Sequence, residues 1–282
     1  MQNYHSGSVD QGAALASSHV LGGGQSPEKV QGHWALARAG KRVLRPGGIK
    51  LTRQMIEALN IGPADRVVEF APGLGVTARM VLQRQPCAYC GVEREPAAAE
   101  QLRRQLAASG ATIVLASADR SGLPDSTATV VYGEALLTMQ TPEQKSRIMA
   151  EAGRILVPGG RYAIHEICLL PDEISDTMRR EIQAAMSKEI HVGVQPLTRE
   201  EWTHLLERHG FKVSWHHEAP MRLLEPSRIL QDEGLGGTLR FAFNVVRSPV
   251  LRHRVLAMRR LFRRYEGHLG SISLIGQRTG DN

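Results

Sequence analysis

Apolar positions along the chain follow two different spacings. From residue 65 onward, short runs of strand-forming residues alternate with stretches in which apolar residues recur every three or four positions. This pattern predicts seven strands, at residues 66–70, 88–92, 112–115, 128–132, 162–167, 211–217 and 269–275. Strands that alternate with helices are typical of a mostly parallel sheet with helices on both faces. The sequence therefore predicts the α/β fold class, built on a seven-stranded sheet.

Two helix starts carry a capping signature. Thr141 and Thr198 are each followed three positions later by Gln144 or Glu201, which is the spacing of a capping box. The first box opens a helix whose apolar stripe runs to residue 156, and the second opens a helix that ends near Gly210. Both helices connect neighbouring strands, as the alternating pattern requires.

Composition and pattern divide the chain into four parts. The first part is rich in Gly, Ser, Ala and Gln and lacks apolar periodicity, which predicts a disordered tail. The parts are a tail at 1–25, N-terminal helices at 26–60, a core at 61–219 and 267–282, and a helical cap insertion at 220–266.

The first N-terminal helix is predicted to begin with Ser26 as its cap and Pro27 in its first turn. Val30, Trp34 and Ala37 would then share one face. A second helix is predicted over residues 51–59.

The insertion is predicted to contain a helix with one apolar and one basic face. Apolar side chains recur at helical spacing, at Leu251, Val255, Met258, Phe262 and Tyr265. Arginines crowd the remaining surface, at Arg252, Arg259, Arg260, Arg263 and Arg264. We predict that the apolar stripe faces inward over the carboxyl edge of the sheet and that the arginines face solvent. A flexible break before this helix is predicted at Gly234, Gly236 and Gly237.

Composition narrows the classes of partner. The 282 residues are 42% hydrophobic and 22% charged, which is ordinary for a globular protein. No apolar run is long enough to span a bilayer and no secretory signal is recognisable, so a cytoplasmic protein is expected. The net charge of +7 suits an acidic partner, but aromatic residues are only 5% of the chain, which disfavours nucleic acid. Peripheral membrane contact through the basic helix at 249–265 stays open.

Metal ligands are not indicated by the sequence. Cys87 and Cys90 form a C-x-x-C pair, but at that spacing in a strand their side chains point to opposite faces. The side chains of neighbouring His216 and His217 likewise point to opposite faces of a strand. Three cysteines also disfavour a disulfide framework.

A glycine loop follows the first strand. The chain reads RVVEFAPGLG over residues 66–75, so Gly73 and Gly75 lie between a strand and a helix. Glycines at this point allow a ligand to approach the backbone closely. Glu93 ends the second strand, where an acidic side chain can accept hydrogen bonds from ribose hydroxyls.

The residues around the glycine loop bear on which cofactor it holds. The loop also fits G-x-G-x-x-A, ending at Ala78, so a nicotinamide-dependent oxidoreductase is an alternative. Glu69 would repel a pyrophosphate, and Pro72 removes a backbone donor that a pyrophosphate would use. A cofactor that carries a sulfonium and an ammonium and has no phosphate fits better, which indicates S-adenosyl-L-methionine.

Four stretches together carry a family resemblance. They are VVEFAPGLG at 67–75, GVERE at 91–95, SADRSGLPD at 117–125 and GRILVPGGRYAIHE at 153–166. With them the chain resembles the class I S-adenosylmethionine-dependent methyltransferases with a Rossmann-like fold, in the small-molecule, quinone-methylase-like branch. Ala71 departs from the family pattern, which usually has glycine there.

This resemblance implies a set of cofactor-binding residues. Glu69 and the glycine loop would surround the methionine part of the cofactor. Glu93 would hold its ribose, and Asp119 would contact its adenine amino group. The implied residues are Glu69, Ala71, Pro72, Gly73, Gly75, Glu93, Arg94, Asp119, Arg120 and Glu134.

Candidates for chemistry on the methyl acceptor are few. Glu134 follows the fourth strand, and His165 and Glu166 end the fifth. Because neighbouring residues in a strand face opposite sides, only one of His165 and Glu166 can face the site. Glu134 and His165 are the candidate catalytic residues, and Arg45 is a candidate contact for an anionic substrate or the cofactor carboxylate. We expect methyl transfer to a small organic molecule, with an O, N, S or C acceptor atom undetermined. A catalytically silent cofactor-binding module is a further alternative.

Overall fold

The strands form one mixed sheet in the computed structural model, which describes residues 30–280. The strands are β1 Arg66–Phe70, β2 Ala88–Glu93, β3 Thr112–Leu115, β4 Ala128–Glu134, β5 Leu156–Leu169, β6 Leu197–Thr198, β7 Phe211–Pro220 and β8 Leu269–Arg278. Their order is β3-β2-β1-β4-β5-β8-β7, and β6 pairs with β5. The first five strands run parallel, whereas β8 is antiparallel to β5 and to β7. The predicted α/β sheet is confirmed, with the two-residue strand β6 as an addition.

Two helices precede β1, and the other helices lie in the connections between the strands. They are α1 Gly32–Arg38, α2 Gly48–Leu59, α3 Val76–Leu82, α4 Pro96–Leu106, α5 Pro142–Ile155, α6 Asp176–Ile190, α7 Arg199–Glu207, α8 Pro226–Arg247 and α9 Pro249–Arg264. Both predicted capping boxes form, at Thr141 with Gln144 and at Thr198 with Glu201. Helix α6 was not predicted, although Ser175 caps it and its buried residues Ile182 and Met186 stand four positions apart.

The N-terminal region departs from the predicted pattern. The tail at 1–25 and the start at Ser26 lie outside the described residues. In α1 the buried residues are Gly32, Ala35 and Leu36, so the predicted shared face is only partly right. Trp34 is half-buried because it borders a cavity.

Helices α8 and α9 lie between β7 and β8 and pack with α1 and α6 around one hydrophobic cluster. The α9 residues Leu251, Val255, Met258 and Phe262 are buried in it, so the stripe faces inward. The backbone break falls at Gly234 alone, where φ is +69° within α8, while Gly236 and Gly237 are helical. The predicted break between two helical stretches is therefore found at Gly234, whereas its extension to Gly236 and Gly237 is wrong.

Buried charges attach α8 to the segment before α2. Lys41 Nζ lies 3.2 Å from Asp232 Oδ2 and 3.7 Å from Glu233 Oε1, and all three side chains are fully buried. Asp232 also accepts from the Ile49 N–H at 2.9 Å, and Glu233 accepts from the backbone N–H groups of residues 42 and 43. The acidic pair thus holds residues 41–49 against the sheet edge.

Replacing Lys41 with methionine should destabilise the fold strongly. Burial lowers the pKa of Lys41 and outweighs the nearby acids Asp232 and Glu233, which raise it. Without its ammonium, Asp232 would be left as a buried carboxylate without an ion pair among the described residues and Glu233 would keep only Arg42, and breaking a buried pair in this way costs about 3–5 kcal/mol in comparable cases. Urea unfolding of Lys41→Met measures this loss. Lys50→Met on the exposed face of α2 is the matched control, and equal stability of the two variants would contradict the account.

Candidate functional site

A cavity of about 480 Å³ opens at the carboxyl ends of β1, β2, β4 and β5. Residues 71–74 after β1 form part of its floor, and residues 30–36 and 42–46 cover it. Met258 and Phe262 of α9 close one side. The carboxyl edge is where ligands bind in sheets of this kind, because the loops there differ in direction and leave a crevice.

The glycine loop meets this cavity through part of its backbone. Ala71 and Gly73 both have φ of +55°, and the Ala71 N–H is fixed by the Val92 carbonyl at 2.8 Å. A Cβ on Gly73 would meet nothing closer than 3.9 Å, so the loop is open to a ligand there. Gly75 does not border the cavity; a Cβ on it would lie 2.7 Å from Leu102 Cδ2 of α4. Gly75 is therefore required for close packing and a left-handed turn.

Glu93 borders the cavity and fastens the glycine loop to β2. Its carboxylate accepts from the Gly73 N–H at 3.0 Å and from the Glu95 N–H at 2.9 Å. Burial raises the pKa of this carboxyl, while the backbone donors oppose the rise. The position suits an acceptor for ligand hydroxyls beside the loop.

Glu69 is a fully buried carboxyl at the cavity wall. The hydroxyls of Tyr89 and Tyr132 both donate to its Oε2, the latter at 2.6 Å. Burial raises the pKa of Glu69 to about 7, although both tyrosines and Arg45 act in the opposite direction. A cation bound nearby would favour its ionised form.

Four further residues implied by the resemblance are found either at the cavity or at the surface. Asp119 borders the cavity, where the Ser117 hydroxyl and Arg147 Nε, at 3.2 Å, lower the pKa of its carboxyl. Arg94 and Pro72 also border it. Arg120 is exposed and lies outside the cavity, so its predicted cofactor contact does not fit the structure.

Glu134 is the meeting point of four elements. Its carboxylate accepts from Thr52 of α2 at 2.6 Å, from Thr77 of α3 and from His165 of β5 at 2.8 Å. Arg45 Nη1 lies 3.2 Å away. Burial alone would raise the pKa of Glu134, but Arg45 and the hydrogen bonds outweigh it and lower the pKa to about 2. Glu134 is thus a firmly held anion and too weak a base to take a proton from a substrate.

His165 is not placed where a general base would act. Its ring is fully buried and does not border the cavity, whereas its neighbour Glu166 does. Nδ1 faces Glu134 at 2.8 Å and Nε2 faces the Pro46 carbonyl at 2.6 Å. Both ring nitrogens are therefore taken up by acceptors within the fold. A ring enclosed in this way does not fit the predicted role of a general base for a substrate.

Arg45 borders the cavity with most of its donors unused. The residue is 8% exposed, and among the described residues its Nε and Nη2 have no hydrogen-bond partner. A buried guanidinium without partners is costly, so an anionic group in the cavity would complete it. Glu69 borders the same cavity, and the charge of Arg45 acts to lower the pKa of that carboxyl.

His33 was missed by the sequence analysis. It borders the cavity from α1, its Nδ1 is buried without a partner among the described residues, and burial and Arg94 lower its pKa to about 4. The ring is therefore neutral near pH 7 and can accept a hydrogen bond. An isolated histidine in a short helix gives no sequence signal of this placement, which depends on how α1 packs over the sheet edge.

Comparison with known proteins identifies related sequences. A family model described as "Methyltransferase domain" matches residues 67–160, which include the glycine loop, Glu93 and Glu134. A Haemophilus influenzae protein described as "Uncharacterized protein" is 30% identical over 251 residues, covering 88% of this chain and 98% of that protein. A protein-L-isoaspartate O-methyltransferase of Methylorubrum populi is 32% identical over 123 residues, and the match covers 43% of this chain and 56% of that protein.

A solved structure shares the fold. It is described as geranyl diphosphate methyltransferase in complex with SAM, and it superposes with a TM-score of 0.60 at 17% identity. The superposition covers 81% of this chain and 84% of that chain. At this level of sequence identity, the similarity between the two structures shows a shared fold only.

Replacing Glu134 with glutamine should reduce stability in a pH-dependent way. The pKa of Glu134 is lowered, so its contribution is fully present above the ordinary value of 4.5 and is lost as pH falls toward 2. The lowering corresponds to about 3 kcal/mol. We expect urea unfolding to show that loss for Glu134→Gln at pH 7 and a smaller one at pH 3.

The matched control is Glu57→Gln on the exposed face of α2, which should change stability little at either pH. A loss for Glu134→Gln that is the same at both pH values would show that the carboxylate charge is not what holds these elements together.

Proposed function

Because this chain belongs to the class I S-adenosylmethionine-dependent methyltransferases, we propose that it methylates a small organic molecule held in the cavity at the sheet edge. Its cofactor is S-adenosyl-L-methionine and its reaction is methyl transfer. The family match favours methyl transfer over the nicotinamide-dependent oxidoreductase and the catalytically silent module. What we propose beyond the family is the class of methyl acceptor and the role of each residue in binding the cofactor and the acceptor.

The observation that carries the residue roles is the partly unsatisfied guanidinium of Arg45, whose Nη1 pairs with Glu134. The methionine part of the cofactor has a carboxylate and an ammonium, which require a cationic and an anionic partner side by side. Arg45 has two buried nitrogens without partners, and Glu69 lies close enough to feel its charge. Arg45 would bind the carboxylate and Glu69 would face the ammonium.

The adenosine part would lie along the glycine loop toward β2. Gly73 leaves room for it, Glu93 offers carboxylate oxygens to the ribose hydroxyls, and Asp119 offers an acceptor to the adenine amino group. When bound, the cofactor supplies an electrophilic methyl group on its sulfonium. The open backbone at Gly73 and the carboxylates of Glu69, Glu93 and Asp119 therefore suit a cofactor that has no phosphate.

The acceptor would occupy the part of the cavity beneath α9. Met221, Leu223, Met258 and Phe262 make this wall apolar, which suits a hydrophobic molecule and keeps water away from the methyl group. His33 offers a neutral nitrogen to one polar group on the acceptor. Since Glu134 is a very weak base, placing the acceptor in line with the methyl group would supply most of the rate acceleration.

Replacing Arg45 with glutamine should weaken binding of S-adenosylhomocysteine by about 10- to 150-fold, the range for a lost hydrogen bond to a charged group. Binding of 5′-methylthioadenosine should change little, because that ligand lacks the amino-acid end. Calorimetry with both ligands on the wild type and on Arg45→Gln measures the difference.

The control is Arg53→Gln, an exposed arginine on α2 with the same change of charge. Equal losses for both ligands would mean that Arg45 only maintains the fold around Glu134. Unchanged S-adenosylhomocysteine binding with reduced turnover would instead assign Arg45 to the acceptor. Wild-type binding of NAD in preference to S-adenosylhomocysteine would overturn the proposed function itself.

A further inference from the structure

The outer face of α8 carries an apolar stripe that no described residue covers. Leu235, Leu239, Phe243 and Val246 stand at helical spacing on one side of the helix. They are 69%, 63%, 62% and 68% exposed, whereas Phe241 between them is buried at 5%. Leu256 of α9, at 39% exposed, adds a further apolar side chain. Such a continuous exposed stripe is typical of a docking surface.

The charge around the stripe has one sign. Residues 234–265 contain eight arginines and no acidic residue. Four of these eight arginines form ion pairs or hydrogen bonds within the fold. Arg259 and Arg263 both hold Glu225, Arg264 pairs with Glu181, and buried Arg254 donates to the Val30 carbonyl. Of the arginines predicted to face solvent, Arg252, Arg260, Arg263 and Arg264 are exposed, and Arg259 is partly covered.

The remaining four arginines stand beside exposed apolar residues on the two helices. Arg240 and Arg247 directly follow Leu239 and Val246 on α8, and Arg252 and Arg260 stand four positions to either side of Leu256 on α9. All four are exposed and form no ion pair with the described residues. Each helix thus carries arginines without an ion pair next to its exposed apolar side chains.

We propose that this outer face of α8 and α9 docks onto an anionic lipid surface. Apolar side chains flanked by arginines are the composition of helices that lie in the plane of a bilayer, with the apolar part inserted and the cations at the headgroups. No helix in residues 30–280 is long and apolar enough to cross a membrane. The face would therefore rest on the bilayer.

A second copy of the chain fits this face less well. A two-fold symmetric contact brings the same patch against itself, so the four unpaired arginines of each copy would face those of the other. No acid between residues 234 and 265 could compensate them. An anionic bilayer complements both the charge and the apolar stripe.

Sedimentation with lipid vesicles tests the proposal. The protein should bind vesicles of phosphatidylcholine with phosphatidylglycerol, bind vesicles of phosphatidylcholine alone at least tenfold more weakly, and lose most binding in 0.5 M NaCl. Leu239→Ser with Phe243→Ser should reduce binding about tenfold or more. Arg240→Gln with Arg247→Gln should reduce it about 30-fold, since each arginine near such a surface contributes roughly fivefold.

Matched controls come from other exposed positions. Leu115→Ser removes an apolar side chain that is 51% exposed at the end of β3, and Arg53→Gln with Arg84→Gln makes the same change of charge elsewhere. Both should bind like the wild type, and thermal melting checks that every variant is folded. Absence of binding to anionic vesicles, or equal losses in patch and control variants, would overturn the proposal. So would a wild-type dimer that Leu239→Ser with Phe243→Ser converts to a monomer.

Discussion

The arrangement of the site depends on one buried carboxylate, Glu134. It draws together a threonine from α2, a threonine from α3, the β5 histidine and Arg45. Each of these groups approaches the sheet edge from a different part of the chain, and the negative charge is what makes their convergence favourable. With the anion in place, His165 can hold the Pro46 carbonyl and so fix the covering segment. The site is therefore assembled around an anion that is itself unsuited to proton transfer.

The covering segment 41–49 is held from both sides. On the inside it meets Glu134 and His165, and on the outside it meets the buried pair Asp232 and Glu233 of α8. Arg45 lies between these attachments and borders the cavity, and two of its guanidinium nitrogens have no hydrogen-bond partner among the described residues. An anion bound in the cavity would offset the cost of leaving these donors without partners. The same helix α8 presents an apolar face outward, which links the cover of the site to the proposed docking surface.

Local signals in the sequence were sufficient for the sheet, the glycine loop and both capping boxes. Each depends on residues within a few positions of one another, as with Thr141 and Gln144. The site depends on distant pairs, such as Arg45 with Glu134 and Lys41 with Asp232, which no local pattern encodes. Strand alternation predicted that only one of His165 and Glu166 faces the cavity but could not show that His165 is enclosed by two acceptors.

We propose that Glu69 and Arg45 together recognise the charged amino-acid end of the cofactor. Burial raises the pKa of Glu69 to about 7, so part of the Glu69 carboxyls carry a proton near pH 7, and an ammonium beside them favours ionisation. Calorimetry in buffers of different ionisation enthalpy should therefore show that binding of S-adenosylhomocysteine at pH 7 releases a fraction of a proton. Glu69→Gln should abolish the release. A wild-type protein that releases no proton, or a variant that releases as much, would contradict the account.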